Sequence, residues 1–222
     1  MEINNIWAVI PAYNEEGNII SIVKKTKKYV NNVAVADDGS KDKTKVSAEK
    51  AGAIVLRHIV NLGKGAALKT GCDLAVKKGA KFIIALDADA QHDPDDIPRF
   101  LEKLKKYDIV FSYRKASNKM PIVFRFGNMF ISNVVNILYG ISLNDTQCGF
   151  RAFSREAYKK IRWNASDYSM ESEMISRAGK QRLKYVQIPI QTVYSDKYKG
   201  TTIIDGIKIV LNMFWWKLFN SR

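Results

Sequence analysis

Five short apolar runs, Ile6–Ile10, Val33–Ala36, Ile54–Leu56, Phe82–Leu86 and Ile109–Ser112, alternate with stretches of helical spacing through the first half of the chain. No run alternates apolar with polar residues. Each is therefore expected to be covered on both faces, as strands are when helices cross over a parallel sheet. The helical stretches lie at 15–30, 42–51, 64–77 and 94–106. In the first, Ile19, Ile22, Val23 and Val30 share a face and lysines fill the later turns, where the helix dipole favours cations. Pro11 is expected to end the first strand. Ligands of such sheets bind at the carboxyl ends of the strands, so Pro11-Ala-Tyr-Asn-Glu15, Asp37-Asp-Gly-Ser40 and Asp87-Ala-Asp89 should meet on one rim.

Composition limits what that rim serves. The chain of 222 residues carries a net charge of +14, a surplus that favours polyanions, anionic headgroups or phosphorylated small molecules, or simply a solvated surface. Its acidic residues gather after apolar runs, at Asp37-Asp38, Asp87/Asp89 and Asp93/Asp95/Asp96. Acidic pockets in a basic chain suggest a metal handled beside a phosphate, and no nucleic-acid partner is expected. Cys72 and Cys148 are too few for a disulfide framework and read as buried thiols of a reducing compartment. No signal peptide is expected at the N-terminus.

Beyond Arg114 the pattern changes. A helix over 122–139 has a polar stripe at Arg125, Asn128, Ser132 and Asn136, and one over 203–219 has Asp205, Lys208 and Asn212 on one face. Both are too polar to span a bilayer and too apolar to stand alone in water. Trp215, Trp216, Lys208, Lys217 and Arg222 suit an interfacial helix. The alternative is that the two helices pack on each other, line a groove for a lipid tail, or meet a homodimer or membrane-protein partner. Between them are expected a strand near 150–153, helices at 155–161 and 170–180, and a strand at 184–188.

Asp87 and Asp89, spaced i, i+2, should leave the fourth strand on one face. Two such carboxylates repel each other unless a cation joins them, and all-oxygen ligation suits a hard divalent ion. An ordinary acidic turn before Pro94 is the alternative.

Val9-Ile-Pro-Ala-Tyr-Asn-Glu-Glu16, Asp37-Asp-Gly-Ser40, Asn61-Leu-Gly-Lys-Gly-Ala66, Asp87-Ala-Asp-Ala-Gln91 and Thr146-Gln-Cys-Gly-Phe-Arg-Ala-Phe153 follow one another in that order. Together they resemble the family-two inverting glycosyltransferases of GT-A fold, above all the dolichyl-phosphate mannose synthases and polyprenyl-phosphate sugar synthases. The match is close as far as Phe153 and looser beyond. It implies an α/β, Rossmann-like, mostly parallel sheet with helices on both faces, in one catalytic domain over 1–222. Residues 1–115 would bind the nucleotide sugar and 116–222 the acceptor, with amphipathic helices at 122–139 and 203–219.

The resemblance also implies roles. Pro11, Ala12, Tyr13 and Glu15 would wall the nucleobase and ribose, with Asp38 at the base edge and Asp37 capping the next helix. Lys64 would neutralise a phosphate beside backbone donors at a helix start. Asp87, Ala88 and Asp89 would meet the donor diphosphate, with Mg²⁺ or Mn²⁺ on Asp87, Asp89 and Gln91. His92 would be solvated or sit just behind the ligands. Arg114 and Arg125 would orient an acceptor phosphate, Arg151 would join them or pair structurally, and Tyr194, Lys197 and Lys199 would belong to a closing loop. Glu171 and Glu173 would touch sugar hydroxyls or be helix-surface charges.

The expected activity is transfer of a hexose to dolichyl or polyprenyl phosphate with inversion. GDP-mannose is the first donor, and UDP-glucose, another UDP-sugar or a different glycan acceptor the alternatives. The expected place is peripheral, at the cytoplasmic membrane face. A basic membrane-binding protein without enzymatic activity is the competing class.

Overall fold

The computed structural model describes residues 5–114, 122–191 and 203–219, excepting the side chains of 122–126, 128, 203–207, 209, 218 and 219. Seven strands form one sheet: β1 (Ile6–Ala12), β2 (Asn32–Asp37), β3 (Ile54–Arg57), β4 (Phe82–Ala85), β5 (Ile109–Arg114), β6 (Arg151–Ser154) and β7 (Tyr185–Ile190). Their order is β3-β2-β1-β4-β6-β5-β7. All neighbours run parallel except β6, which lies antiparallel between β4 and β5. The eight helices are α1 (Ile19–Thr26), α2 (Thr44–Lys50), α3 (Lys64–Lys77), α4 (Ile97–Lys103), α5 (Ile122–Tyr139), α6 (Arg155–Ile161), α7 (Met170–Lys180) and α8 (Ile203–Phe219).

Uninterrupted apolar strands do fill both faces. Trp7, Val9, Ile83, Phe111 and Phe153 join one core with Cys72, Tyr158 and Met174, while Ile6, Ala8, Ile10, Ile84 and Ala152 join another with Ile22 and Phe100. Both cysteines are buried and unpaired.

The chain steps from β1 out to β2 and β3, then returns to β4 on β1's other side. That reversal opens a crevice at the carboxyl ends of β1 and β4. It carries Tyr13 on one flank and Asp87 on the other.

Several boundaries depart from the sequence reading. Pro11 does not end β1: it pairs in register with Ala36, and the strand runs on to Ala12. The first helix begins only at Ile19, because Glu15–Asn18 forms a turn closed by Asn18 and Ile19 amides on the Glu15 carbonyl. The 94–106 stretch splits into a 3₁₀ turn, Pro94–Asp96, and α4. β5 extends through Arg114, which places that arginine in the strand rather than after it.

The two amphipathic helices pack on each other. The Tyr139 hydroxyl donates to the Met213 carbonyl at 2.6 Å and Lys217 Nζ to the Leu138 carbonyl at 2.7 Å. Ser132, expected on a polar stripe, is buried, whereas Met129, Phe130 and Ile137 of α5 and Leu211, Phe214 and Trp215 of α8 are exposed. No helix among the described residues is long and apolar enough to cross a membrane.

Phe100 of α4 stacks on Phe150 at 4.2 Å between ring centroids and is fully buried. Phe100→Ala is expected to cost about 3–5 kcal/mol of stability, read as a lowered midpoint in urea unfolding. A shift of under 1 kcal/mol would mean this core collapses around the gap.

Candidate active site

Two loops, those after β1 and β2, are knitted at the rim. Asp38 N donates to the Ala12 carbonyl at 2.8 Å, Asn14 N to Ser40 Oγ at 2.9 Å and Glu15 N to Thr44 Oγ1 at 2.8 Å. Asn14 adopts a left-handed φ of 55° while its side-chain oxygen accepts from Lys41 N, a local bond that helps asparagine tolerate that conformation. Pro11 and Ala12 are buried in β1, and Tyr13 stands exposed beside them. The first two expected groups thus meet as the strand order requires.

Asp38 is more committed than the sequence suggested. Its oxygens accept from Leu62 N at 2.9 Å and Gly63 N at 2.8 Å, and one lies 2.7 Å from His58 Nδ1. In this structure the carboxylate holds the 58–63 loop in place, where contact with a base edge was expected. Asp37 caps no helix. Its Oδ1 accepts from Ser40 N, closing a tight turn, and Oδ2 lies 3.4 Å from Arg57 Nε.

The Gly-Lys-Gly segment also differs. A Cβ on Gly63 or Gly65 would collide with the backbone carbonyls of Ser166 and Ala165. These glycines admit the 163–167 segment against the start of α3, where Ala66 N already donates to Ser166 O and Trp163 Nε1 to Gly65 O. The expected cradle of free amides for a phosphate is therefore partly filled by the chain itself. Lys64 is left projecting into the crevice.

There its ammonium lies 2.8 Å from Asp87 Oδ1 and 3.0 Å from Glu171 Oε1. Burial alone would lower the Lys64 pKa, but the two carboxylates outweigh it and raise the pKa above the usual lysine value. Burial likewise pushes the Asp87 carboxyl up, and Lys64 followed by His92 reverses this, holding it below the usual range. Asp89 is raised, first by burial and then by the charge of Asp87. Ala88 is buried between the two half-exposed aspartates, as an i, i+2 pair on one face demands.

Two neighbouring carboxylates, one raising the other, fit a hard cation. Gln91 adjoins them: its backbone amide donates to Asp89 Oδ1 at 3.0 Å. Among the described residues no three His, Cys, Asp or Glu side chains form a closed metal cage. A cation here would complete its shell from Gln91, ligand oxygens and water.

Other expectations are narrowed or need correction. His92 takes the second of its two expected places, buried just behind Asp87, with Nδ1 3.9 Å from Asp87 Oδ2, Nε2 3.7 Å from Cys148 Sγ and its ring against Phe150. Asp93, Asp95 and Asp96 are not part of the rim cluster. They serve the 3₁₀ turn, Lys25, Tyr29 and Arg99. Arg114 points its fork at Asp145, with Nε–Oδ2 at 2.6 Å and Nη2–Oδ1 at 3.1 Å, so the bidentate partner expected to be a phosphate is a carboxylate.

Arg151 is buried among carbonyls, donating to Cys148 O, Glu171 O and Thr146 O, and is no acceptor-binding cation. Glu173 is no surface charge either. It accepts from the amides of Asn164 and Ala165 and pairs with Arg177. The Arg125 side chain and all of Tyr194, Lys197 and Lys199 lie outside the described residues.

Sequence reasoning missed His58, Asp145 and the part played by Gly149, where a Cβ would overlap the Asp87 carboxylate. Glycine in the Cys148-Gly-Phe150 segment was the available signal: close approach of another group is one of glycine's few uses at a strand's start.

A model of the family described as glycosyl transferase family 2 matches residues 7–162. An uncharacterized protein of Methanocaldococcus jannaschii is 39% identical, over 98% of this chain and 95% of its own length. The UDP-N-acetylglucosamine–dolichyl-phosphate N-acetylglucosaminyltransferase of Methanococcus voltae is 32% identical, over 96% of each chain. The polyprenol monophosphomannose synthase of Mycolicibacterium smegmatis is 27% identical, over 93% of this chain and 83% of its own. Among solved structures, glucosyl-3-phosphoglycerate synthase from Mycobacterium tuberculosis, in complex with Mn²⁺, UDP-glucose and phosphoglyceric acid, matches at TM-score 0.72 and 21% identity. That match covers 95% of this chain and 79% of that one, and the two share a fold.

Removing the Arg151 guanidinium strands three buried carbonyls. Arg151→Met is expected to cost about 3 kcal/mol or more, read as a lowered melting temperature. An unchanged melting curve together with lost acceptor binding would return this residue to the acceptor site.

Proposed function

The chain belongs to glycosyl transferase family 2, a glycosyltransferase of GT-A fold, and from that premise we propose that it transfers a sugar from a nucleoside diphosphate donor to a polyprenyl (dolichyl) phosphate, with inversion and with a divalent metal. The observation that carries this reading is the Asp87–Asp89 pair with Lys64 at the β1/β4 crevice. The relatives named above differ in donor, N-acetylglucosamine in one and mannose in the other, yet both names carry a polyprenol-type acceptor. That agreement supports the acceptor class. The donor is less constrained. GDP-mannose remains in play, but the 32% relative with a UDP-sugar in its name makes UDP-N-acetylglucosamine the first donor to test.

Mg²⁺ or Mn²⁺ on Asp87 and Asp89, with Gln91, would stabilise negative charge on the departing nucleoside diphosphate. The chain's own residues supply the rest. Lys64 adds a cation to the same diphosphate, and the exposed ring of Tyr13 offers a face for a base. A phosphate monoester has its second pKa near ~6, so the acceptor arrives mostly as its own nucleophile and needs orientation rather than deprotonation. With Arg114 turned to Asp145 and Arg151 buried, orientation falls to Arg125, Lys197 and Lys199.

The exposed Phe214, Trp215 and Ile137, with Lys208 and Lys217 beside them, would rest on the headgroup layer at the cytoplasmic membrane face, where such an acceptor resides.

The test is a labelled-sugar transfer assay with a panel of UDP- and GDP-sugars, polyprenyl phosphate and Mn²⁺ or Mg²⁺. Sugar should appear on the lipid phosphate, and Asp89→Ala should lower the rate by about 10²–10³-fold or more in a chain that still folds. No transfer to lipid from any donor would sink the acceptor assignment. Trp215→Ala combined with Phe214→Ala should reduce sedimentation with anionic vesicles several-fold. Unchanged sedimentation would mean the α5/α8 face does not meet lipid.

A further inference from the structure

Lys64 sits where its charge is hardest to reconcile with a metal on Asp87. An ammonium 2.8 Å from Asp87 Oδ1 and a divalent cation on the same carboxylate repel each other strongly across a poorly solvated crevice. Yet the lysine has somewhere to go. Glu171, from α7, already holds it at 3.0 Å through Oε1, and its second oxygen, Oε2, is buried without any hydrogen-bond partner. Glu173, two residues on and on the opposite side of the same helix, has no such reserve, because two backbone amides and Arg177 engage it.

The surroundings fix everything except the lysine head. Gly65 pins the start of α3 against residues 165–167, and Gly149 lets the chain close on Asp87. A lysine presents a compact charge on a flexible stem, so it can trade partners without moving its backbone.

We propose that Lys64 is a built-in stand-in for the divalent cation. Its ammonium occupies Asp87 until metal and nucleoside diphosphate arrive together, and Glu171 is the positioning residue that then retains it beside the diphosphate. The proposal rests on the placing of metal at Asp87 and Asp89 in the preceding reading, and it adds an exchange of cations on Asp87. Metal alone competes with Lys64 for the carboxylate. Metal with nucleotide does not, because the phosphates give the displaced ammonium a second anionic partner. Nucleotide should therefore tighten metal binding by more than direct phosphate ligation supplies, and the excess should depend on Lys64.

The experiment measures free Mn²⁺ by electron paramagnetic resonance during titration of the full chain, with and without GDP or UDP. Wild type is compared with Lys64→Met, Glu171→Gln and Asp89→Ala. Lys64→Met is expected to bind Mn²⁺ alone about tenfold tighter, the size of effect one adjacent charge exerts on a carboxylate's equilibria. The enhancement of Mn²⁺ affinity by nucleotide should shrink by a similar factor. A lysine that merely repels metal from a distance would tighten Mn²⁺ binding and leave the enhancement intact, and that result would overturn the proposal.

Glu171→Gln keeps the shape and leaves Asp87 as the sole carboxylate on Lys64. It should weaken binding of Mn²⁺ alone several-fold, and unchanged or tighter binding would count against the exchange even if Lys64→Met does not fold. Asp89→Ala separates the two levels. If it binds Mn²⁺ like wild type, the metal reading fails and the exchange with it. If it loses Mn²⁺ while Lys64→Met changes nothing, only the exchange fails.

Discussion

A half-buried cation between two carboxylates from different parts of the chain holds the candidate site together. Lys64 opens α3, Asp87 follows β4, and Glu171 lies on α7, so the triad ties the early βα units to the segment that comes after the antiparallel strand. Such a group adds little net stability over an apolar filling, because desolvation offsets attraction. Its value is in specificity. Without Lys64 two carboxylates are left facing each other across the crevice, whereas loss of either carboxylate still leaves the ammonium one partner.

The sheet order explains why the triad forms where it does. Reversal of direction at β1 opens the crevice, and β6, threading antiparallel beside β4, brings Gly149 down onto Asp87. Arg151, two residues on, gathers the carbonyls of Thr146, Cys148 and Glu171 beneath the same point. The wall of the site is thus set by a guanidinium held by backbone carbonyls, the Met174 sulfur and the face of the Phe111 ring. It is a scaffold cation, as the structural alternative for Arg151 had it, though its partners are carbonyls rather than a carboxylate.

What the sequence made legible follows from period and position. The apolar runs gave the strands and both cores, and i, i+2 spacing placed Asp87 and Asp89 together with Ala88 turned inward. What it hid was partnership. Nothing in the spacing of Arg114 announces Asp145, and nothing beside Asp38 announces the amides of Leu62 and Gly63, because these bonds span 31, 24 and 25 residues. A Gly-Lys-Gly turn looks alike whether its glycines admit a phosphate or, as here, another stretch of backbone. The antiparallel direction of β6 was likewise invisible, since a four-residue strand with three buried residues reads the same in either direction.

The charge of the chain and the charge of its site point in opposite senses, and the structure separates them. Lysines lie on exposed helix faces such as α1 and α2, whereas at the rim Asp87 and Glu171 hold the Lys64 ammonium and Asp89 lies beside Asp87. A positive exterior would draw an anionic donor and acceptor of the proposed kind from a distance, with a reach of about 8–10 Å at ordinary ionic strength. Inside that radius the acidic rim would repel both, unless cations neutralise it. Lysines on exposed helix faces such as α1 and α2 do not supply that charge at the crevice. The neutralising charge must be bound locally, and Lys64 alone falls short of balancing three carboxylates. Asp87, Asp89 and Glu171 outnumber the nearby cations Lys64 and Arg151, and that surplus of carboxylate is the electrostatic argument for a bound cation.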